Sequence, residues 1–272
     1  METTYRYGII RLEGAIRNRM KIALCFSGQP RFIKESASLI KENIIQDYDV
    51  DVFSHLWFDE GLQTKPYKYG GAGGWIHQRI SDESIDDFIK LYNPKELLVE
   101  PSKQFLDSNL SSNYLSSMQR YKSGSINNPD DPDFEVRDVN NITSYHYSLM
   151  RSCLLKKEYE YDNNFKYDYV VRMRTDAMIH NKIKFESFPK NVVFYSGMQN
   201  QPDGMINDWF NFGGSKVMDV FMSAFPVLDY CIDECMKQTN GAWCCELIHR
   251  KMIDFFNIEC YSLPIHVTLP RF

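Results

Sequence analysis

A strand, a helix and a second strand follow one another near the start of the chain, and this pattern constrains the fold most. The run KIALCFSG (21–28) reads as a short buried strand that ends at Gly28. The run RFIKESASLIKENII (31–45) has the apolar spacing of a helix, and YDVDVFSHLWF (48–58) alternates as a strand does. Two strands joined by a helix lie parallel in one sheet. The pattern therefore predicts an α/β protein.

Later patterns extend this arrangement. Apolar periodicity predicts helices at 82–92, 142–165, 215–236 and 241–257, and strands at 95–101, 167–174, 191–197 and 258–264. Loops are predicted at 63–78, 123–138 and 198–214, where glycine and other turn-forming residues are frequent. Long loops of this kind are often lids or binding loops, and a disordered surface insertion is the alternative. The order of elements predicts a mixed, mainly parallel sheet flanked by helices.

Composition narrows the class of protein. The 272 residues are 43% apolar and 25% charged, which suits one folded domain at 20–272 preceded by a polar extension at 1–19. The net charge is −5 and no basic run exceeds two residues, so we expect no nucleic-acid partner.

Targeting and redox signals are also weak. No window approaches the roughly 18 apolar residues of a membrane span, and the first 20 residues hold no secretory apolar core. The seven scattered cysteines form no disulfide framework. We therefore expect a cytoplasmic protein without a membrane span and with reduced thiols.

The stretch YDYVVRMRTDAMIHN (167–181) reads as an apolar strand whose end carries the charged residues Arg172, Arg174 and Asp176. An isolated ion moved out of water costs several kcal/mol or more, so these charges must be paired, hydrated or used. An internal salt bridge is one interpretation, and a site for a phosphorylated ligand is the other. Ligands of parallel sheets bind at the carboxyl ends of strands. The ends available are those at 27–31, 55–57 and 174–176, and we expect them to converge.

Four segments together carry a resemblance to a known family: KIALCFSGQPRF, DVDVFSHLW, SLMRSCLLKKEYEYDNNFKYDYVVRMRTDAMI and INDWFNFGGSKVMDVF. They resemble the glycosyltransferase-like proteins found in bacterial polysaccharide gene clusters and in some large DNA viruses. The resemblance implies a GT-A-like fold, with a donor half at about 20–180 and an acceptor half at about 181–272. It also implies a UDP- or GDP-linked sugar donor and a glycan or lipid-linked saccharide acceptor.

Donor-binding residues follow from the resemblance and from the strand ends. They are Ser27, Gly28, Gln29, Arg31, His55, Arg172, Arg174 and Asp176. In this family a strand ends in an Asp-x-Asp-like motif that holds a divalent metal, but the chain reads Arg174-Thr175-Asp176 here. Two alternatives remain open. Asp176 and His266 could ligate Mn²⁺ or Mg²⁺, or Arg172, Arg174 and Arg31 could stabilise the diphosphate without a metal.

An inverting transferase needs a general base for the acceptor hydroxyl. Asp208 and Glu246 are the candidate catalytic carboxylates. Trp209, Phe210 and Phe212 flank Asp208 and are predicted to stack on the acceptor sugar. The alternative function is a non-catalytic nucleotide-sugar or carbohydrate binding protein. A methyltransferase fits poorly, because FSGQPRF offers only Gly28 where that fold needs a glycine-rich turn.

Overall fold

A computed structural model describes residues 19–59, 67–68, 75–76, 80–103, 105, 134–197, 204–239 and 244–270. The strands are Lys21–Gly28 (β1), Asp49–Trp57 (β2), Tyr67–Lys68 (β3), Trp75–Ile76 (β4), Glu96–Glu100 (β5), Tyr169–Met173 (β6), Met178–Ile179 (β7), Val192–Ser196 (β8), Phe210–Gly213 (β9), Glu259–Leu263 (β10) and Val267–Thr268 (β11). The α-helices are Ile33–Ile40 (α1), Ser84–Tyr92 (α2), Phe134–Asp162 (α3), Ser215–Phe221 (α4), Leu228–Thr239 (α5) and Cys245–Phe255 (α6).

Seven of these strands form one sheet in the order β10-β8-β9-β6-β1-β2-β5. Neighbouring strands are parallel except at β9, which runs antiparallel to both β6 and β8. Two antiparallel pairs, β7 with β11 and β3 with β4, lie outside the large sheet. The predicted mixed, mainly parallel α/β sheet is therefore confirmed.

Strand β1 shows why helices cover both faces of the sheet. Its residues from Ile22 to Phe26 are all fully buried, as expected for a central parallel strand. Alternate side chains enter different cores. Leu24 and Phe26 belong to the cluster that includes residues of α1 and α2, whereas Ala23 and Cys25 belong to the cluster that includes residues of α3 and α4.

Several elements differ from the sequence prediction, among them the short strands β3 and β4 inside the predicted loop 63–78. Helix α3 begins at Phe134, inside the predicted loop 123–138, because a nucleated helix extends easily through residues of ordinary propensity. The predicted helix at 215–236 is divided into α4 and α5 by a 3₁₀ turn at Phe225–Val227 that contains Pro226, which lacks a backbone N–H. Strand β9 lies inside the predicted loop 198–214, because β6 and β8 pair with it on both sides.

Some predictions fall outside the described residues. Positions 1–18, 123–133, 198–203 and most of 63–78 belong to this group. The predicted strands at 21–28, 48–58, 95–101, 167–174, 191–197 and 258–264 are confirmed to within a few residues as β1, β2, β5, β6, β8 and β10.

Candidate functional site

The candidate site lies where the order of the strands reverses. The chain passes from β1 to β2 and β5 on one side of β1, and then returns to add β6 on the other side. Such a reversal between neighbouring parallel strands leaves a crevice beyond their carboxyl ends. Gly28 ends β1 and Met173 ends β6, so the residues that follow them lie at this end of the sheet.

The turn after β1 is tied to the turn after β6. Gly28 has a φ of 114°, a region that side-chain-bearing residues rarely adopt, and its N–H donates to Ser148 Oγ at 2.9 Å. The Thr175 hydroxyl donates to the Gln29 carbonyl at 2.6 Å, and Ser36 Oγ donates to the Thr175 carbonyl at 2.7 Å. These bonds hold the two predicted donor-binding segments together. A cavity of about 230 Å³ beside Pro30 is lined mainly by residues of α1 and α2 and by none of the predicted donor-binding side chains.

Asp176 lies at the centre of a pair of arginines. Arg174 donates to both of its carboxylate oxygens, from Nε at 2.9 Å and from Nη2 at 2.8 Å, and Arg31 Nη2 lies 3.4 Å from Oδ2. Burial alone would raise the pKa of the Asp176 carboxyl, but the charges of Arg174 and Arg31 outweigh that effect and lower the pKa. Asp176 is therefore ionised. Its predicted direct contact with a donor is corrected, because the side chain is buried and both of its oxygens bond to Arg174; it instead orients two guanidinium groups whose side chains remain 19% and 15% exposed.

Both predicted catalytic carboxylates lie near this pair. Arg174 Nη1 is 3.9 Å from Asp208 Oδ2. Glu246 lies in the first turn of α6, and its backbone carbonyl accepts the Ile206 N–H at 3.3 Å. Burial, and then the negative charge of Asp208, raise the pKa of Glu246 to about 7. A carboxyl group that titrates near neutrality can exchange a proton with a hydroxyl group at physiological pH.

Arg172 lies behind the site and is fully buried. It donates from Nη1 to the Asp208 carbonyl, its Nη2 lies 3.5 Å from Ser27 Oγ, and its guanidinium lies 4.7 Å from the centre of the Tyr145 ring. Ser27 is also buried. The predicted direct contact of Arg172 and Ser27 with a donor is corrected here, because neither side chain reaches the surface. Their position supports the Asp208 segment from within.

His55 also supports the site from below. The ring is fully buried, with Nδ1 2.8 Å from Ser148 Oγ and Nε2 2.8 Å from Glu100 Oε2. Burial lowers the pKa of His55 to about 4, so the ring is neutral at pH 7. The predicted donor contact of His55 is corrected, because both ring nitrogens are occupied. Through Ser148, His55 helps to hold the Gly28 turn.

The aromatic residues after Asp208 divide into two groups. Phe210 and Phe212 are fully buried in β9 and pack in the core, which contradicts their predicted stacking on an acceptor sugar. The alternating pattern of this segment belongs to a strand that is covered on both faces. Trp209 is partly exposed, and its carbonyl accepts the Arg174 N–H at 3.1 Å. Its role in acceptor binding stays a prediction.

The predicted ligands do not form a metal site within the described residues. Both oxygens of Asp176 bond to Arg174, and the exposed His266 ring stacks on His180 at 4.6 Å between centroids. No group of three or more His, Cys, Asp or Glu side chains in these parts of the chain is arranged to hold a metal ion. The described residues therefore do not fit the predicted Mn²⁺ or Mg²⁺ site. Of the three arginines in the metal-free alternative, Arg31 and Arg174 are partly exposed and Arg172 is fully buried.

Sequence reasoning missed a buried polar layer behind the carboxylates. Tyr145 of α3 lies against Arg172, His146 packs beside Tyr145 and against His249 of α6, and the Tyr145 hydroxyl is 2.7 Å from His249 Nε2. The one available signal was the spacing of Glu246 and His249, which places both on one face of a helix.

Comparison with models of known protein families gave no match, and comparison with curated proteins also gave none. No helix in the described ranges combines the length and the apolar character that crossing a membrane requires.

Proposed function

We propose that the chain is a GT-A-like glycosyltransferase that moves a sugar from a nucleotide-sugar donor to a hydroxyl group of a glycan or lipid-linked saccharide. The observation that carries the proposal is one cluster at the switch point of the sheet. Two partly exposed arginines pair with Asp176, and Arg174 lies 3.9 Å from Asp208, whose charge adds to burial in raising the pKa of Glu246 to about 7. The strands β5-β2-β1-β6 also follow the third, second, first, fourth order of nucleotide-binding α/β sheets.

Arg31 and Arg174 are assigned to the leaving nucleoside diphosphate. Transfer breaks the bond between the sugar and the diphosphate, and negative charge grows on the departing oxygen. Two guanidinium groups that Asp176 already orients need little rearrangement to stabilise that charge. Gly28 and Gln29 bring the backbone of the first turn to the same edge of the sheet.

Glu246 is assigned as the general base. In its ionised form it takes the proton of the acceptor hydroxyl as that oxygen attacks the sugar carbon. Burial and then the charge of Asp208 raise the pKa of Glu246, so the fraction of Glu246 in the basic form grows as pH rises through about 7. The rate of transfer is therefore expected to rise over the same interval.

A non-catalytic donor-binding protein remains the second candidate. The observation that favours it is the arginine in place of the first carboxylate of the family's metal motif, together with the bidentate pairing of the remaining carboxylate. Such a protein would bind the donor at Arg31 and Arg174 without breaking it.

Release of nucleoside diphosphate from a panel of UDP- and GDP-linked sugars tests the transferase proposal, with and without added Mn²⁺ or chelator. We expect turnover in the wild type, and a loss of at least about 100-fold in Glu246→Gln with donor binding retained. The exposed residue Glu259 on β10 supplies the matched control, Glu259→Gln, which should keep wild-type turnover. Binding without turnover across the panel and a range of saccharide acceptors would favour the second candidate. Equal turnover in Glu246→Gln and wild type would remove the proposed base.

A further inference from the structure

Arg172 is a buried cation that has no carboxylate partner in the described part of the chain. Its guanidinium is fully buried, and no carboxylate of the described residues lies within ion-pair distance of it. Burying such a charge costs several kcal/mol unless other groups compensate it. The compensation present is the Asp208 carbonyl on one side and the face of the Tyr145 ring on another.

Tyr145 connects this cation to the helix that carries Glu246. Its hydroxyl lies 2.7 Å from Nε2 of His249, which is buried and stacked on Phe221 at 4.5 Å between centroids. His249 and Glu246 are three residues apart on α6 and therefore share a face of that helix.

The contacts link the two candidate carboxylates through the interior. The path runs from Glu246 along α6 to His249, across to Tyr145 on α3, to Arg172 on β6, and to the backbone of Asp208. A second connection joins the same two segments directly, because the N–H of Ile206, two residues before Asp208, donates to the Glu246 carbonyl.

We propose that Tyr145 and His249 are positioning residues that fix the Asp208 segment relative to Glu246 through the guanidinium of Arg172. The effect of these residues on catalysis rests on the proposed transferase function. The distance between the Asp208 segment and Glu246 is set by the fold and does not depend on any activity. If the hydroxyl–imidazole bond is lost, α6 and the Asp208 segment are less tightly joined, and the two carboxylates separate or admit water.

The decisive variant is Tyr145→Phe, which removes only the hydroxyl and keeps the ring beneath Arg172. We expect kcat to fall about tenfold while KM for the donor changes less than about twofold, because small displacements of a base affect chemistry more than ground-state binding. The midpoint of the rise in rate with pH should move down by about half a unit, since Asp208 then raises the pKa of Glu246 less. Tyr159→Phe on the same helix is the matched control and should match the wild type.

His249 provides a rescue test. His249→Gln keeps a group that can hydrogen-bond to Tyr145, whereas His249→Leu does not. We expect the glutamine variant to recover most of the kcat that the leucine variant loses. Equal kcat in the two variants would contradict a positioning role for this bond.

A titration of the Glu246 carboxyl carbon by NMR separates this inference from the proposed function. A lower Glu246 titration midpoint in Tyr145→Phe than in wild type supports the positioning role, even if the wild type turns over no donor. An unchanged midpoint in the folded variant overturns it, whatever the activity.

Discussion

The His146 ring is fully buried on α3, and neither of its nitrogens has a hydrogen-bond partner among the described residues. Burial, and then the positive charge of Arg172, lower the pKa of His146 to about 3. The ring is neutral in the folded protein at all but strongly acidic pH. In the unfolded chain it takes up a proton near its ordinary pKa of about 6.5. Stability is therefore lost as pH falls below that value, because the unfolded state binds the extra proton.

Replacement of His146 by leucine should stabilise the protein. At pH 7 we expect a gain of about 1 kcal/mol in the free energy of unfolding, because an unpartnered polar group is removed from the interior. At pH 5 the gain should be larger by roughly 2 kcal/mol, because the variant no longer has the acid-linked loss. Denaturant unfolding at pH 7 and at pH 5 measures the gain in the free energy of unfolding at each pH. His266→Leu, at an exposed histidine, is the control. A variant that is less stable at both pH values, with no change in the difference between them, would contradict this account of His146.

For single residues, the sequence showed which charges stand at strand ends but not which of them reach the surface. Arg172 and Arg174 are two residues apart on the same predicted strand, yet one is fully buried and the other partly exposed. The difference arises because β6 ends at Met173 and Arg174 leaves the sheet, and a boundary of one residue is beyond periodicity. Phe210 and Phe212 were misassigned for a related reason, since the strand that buries them forms only by pairing with β6 and β8.

At the scale of elements, buried charges join α3 to α4 and to the start of β6. Lys156 is fully buried and contacts Glu160 at 3.0 Å, Ser215 Oγ at 2.8 Å, and Asp219. Glu160 also accepts the Tyr167 N–H at 3.0 Å. The long helix is thereby held in register with the strand that leads to Arg174.

Lys156→Met should lower the free energy of unfolding by about 3 kcal/mol, because it leaves the carboxylates of Glu160 and Asp219 without their buried cation. Lys157→Met, at the neighbouring and partly exposed position, should change stability by less than about 0.5 kcal/mol. Thermal or urea unfolding of the two variants gives the comparison. Similar losses in both would mean that the buried cation is not what joins the helices.

The elements themselves were largely predictable because their apolar spacing is regular. The burial of Lys156 was not predictable. Lys156 and Glu160 have the spacing of a solvent-facing ion pair on a helix, and only the packing of α4 against α3 buries them. The division between α4 and α5 had a visible signal in Pro226, which the apolar periodicity outweighed.

At the scale of the whole molecule, the sheet brings distant parts of the chain to one edge. Arg31 follows β1, Arg174 and Asp176 follow β6, Asp208 precedes β9, and Glu246 lies in the first turn of α6. Convergence of the strand ends was predictable from the strand, helix, strand pattern, and the distances among these residues confirm it for Arg31, Arg174 and Asp176. The association of Glu246 with Asp208 depends on how α6 packs, which no local pattern indicates.

The central claim is that a diphosphate binds at Arg31 and Arg174, beyond the ends of β1 and β6. Calorimetric titration with UDP and with GDP tests it most directly, in the wild type, in Arg174→Gln and Arg31→Gln, and in Arg250→Gln as a control at an exposed ion pair on α6. We predict that the wild type binds one of the two nucleotides, that each site variant binds it about 10- to 100-fold more weakly while remaining folded, and that the control binds normally. Wild-type affinity in both site variants, or no binding of either nucleotide to the wild type, would contradict the claim.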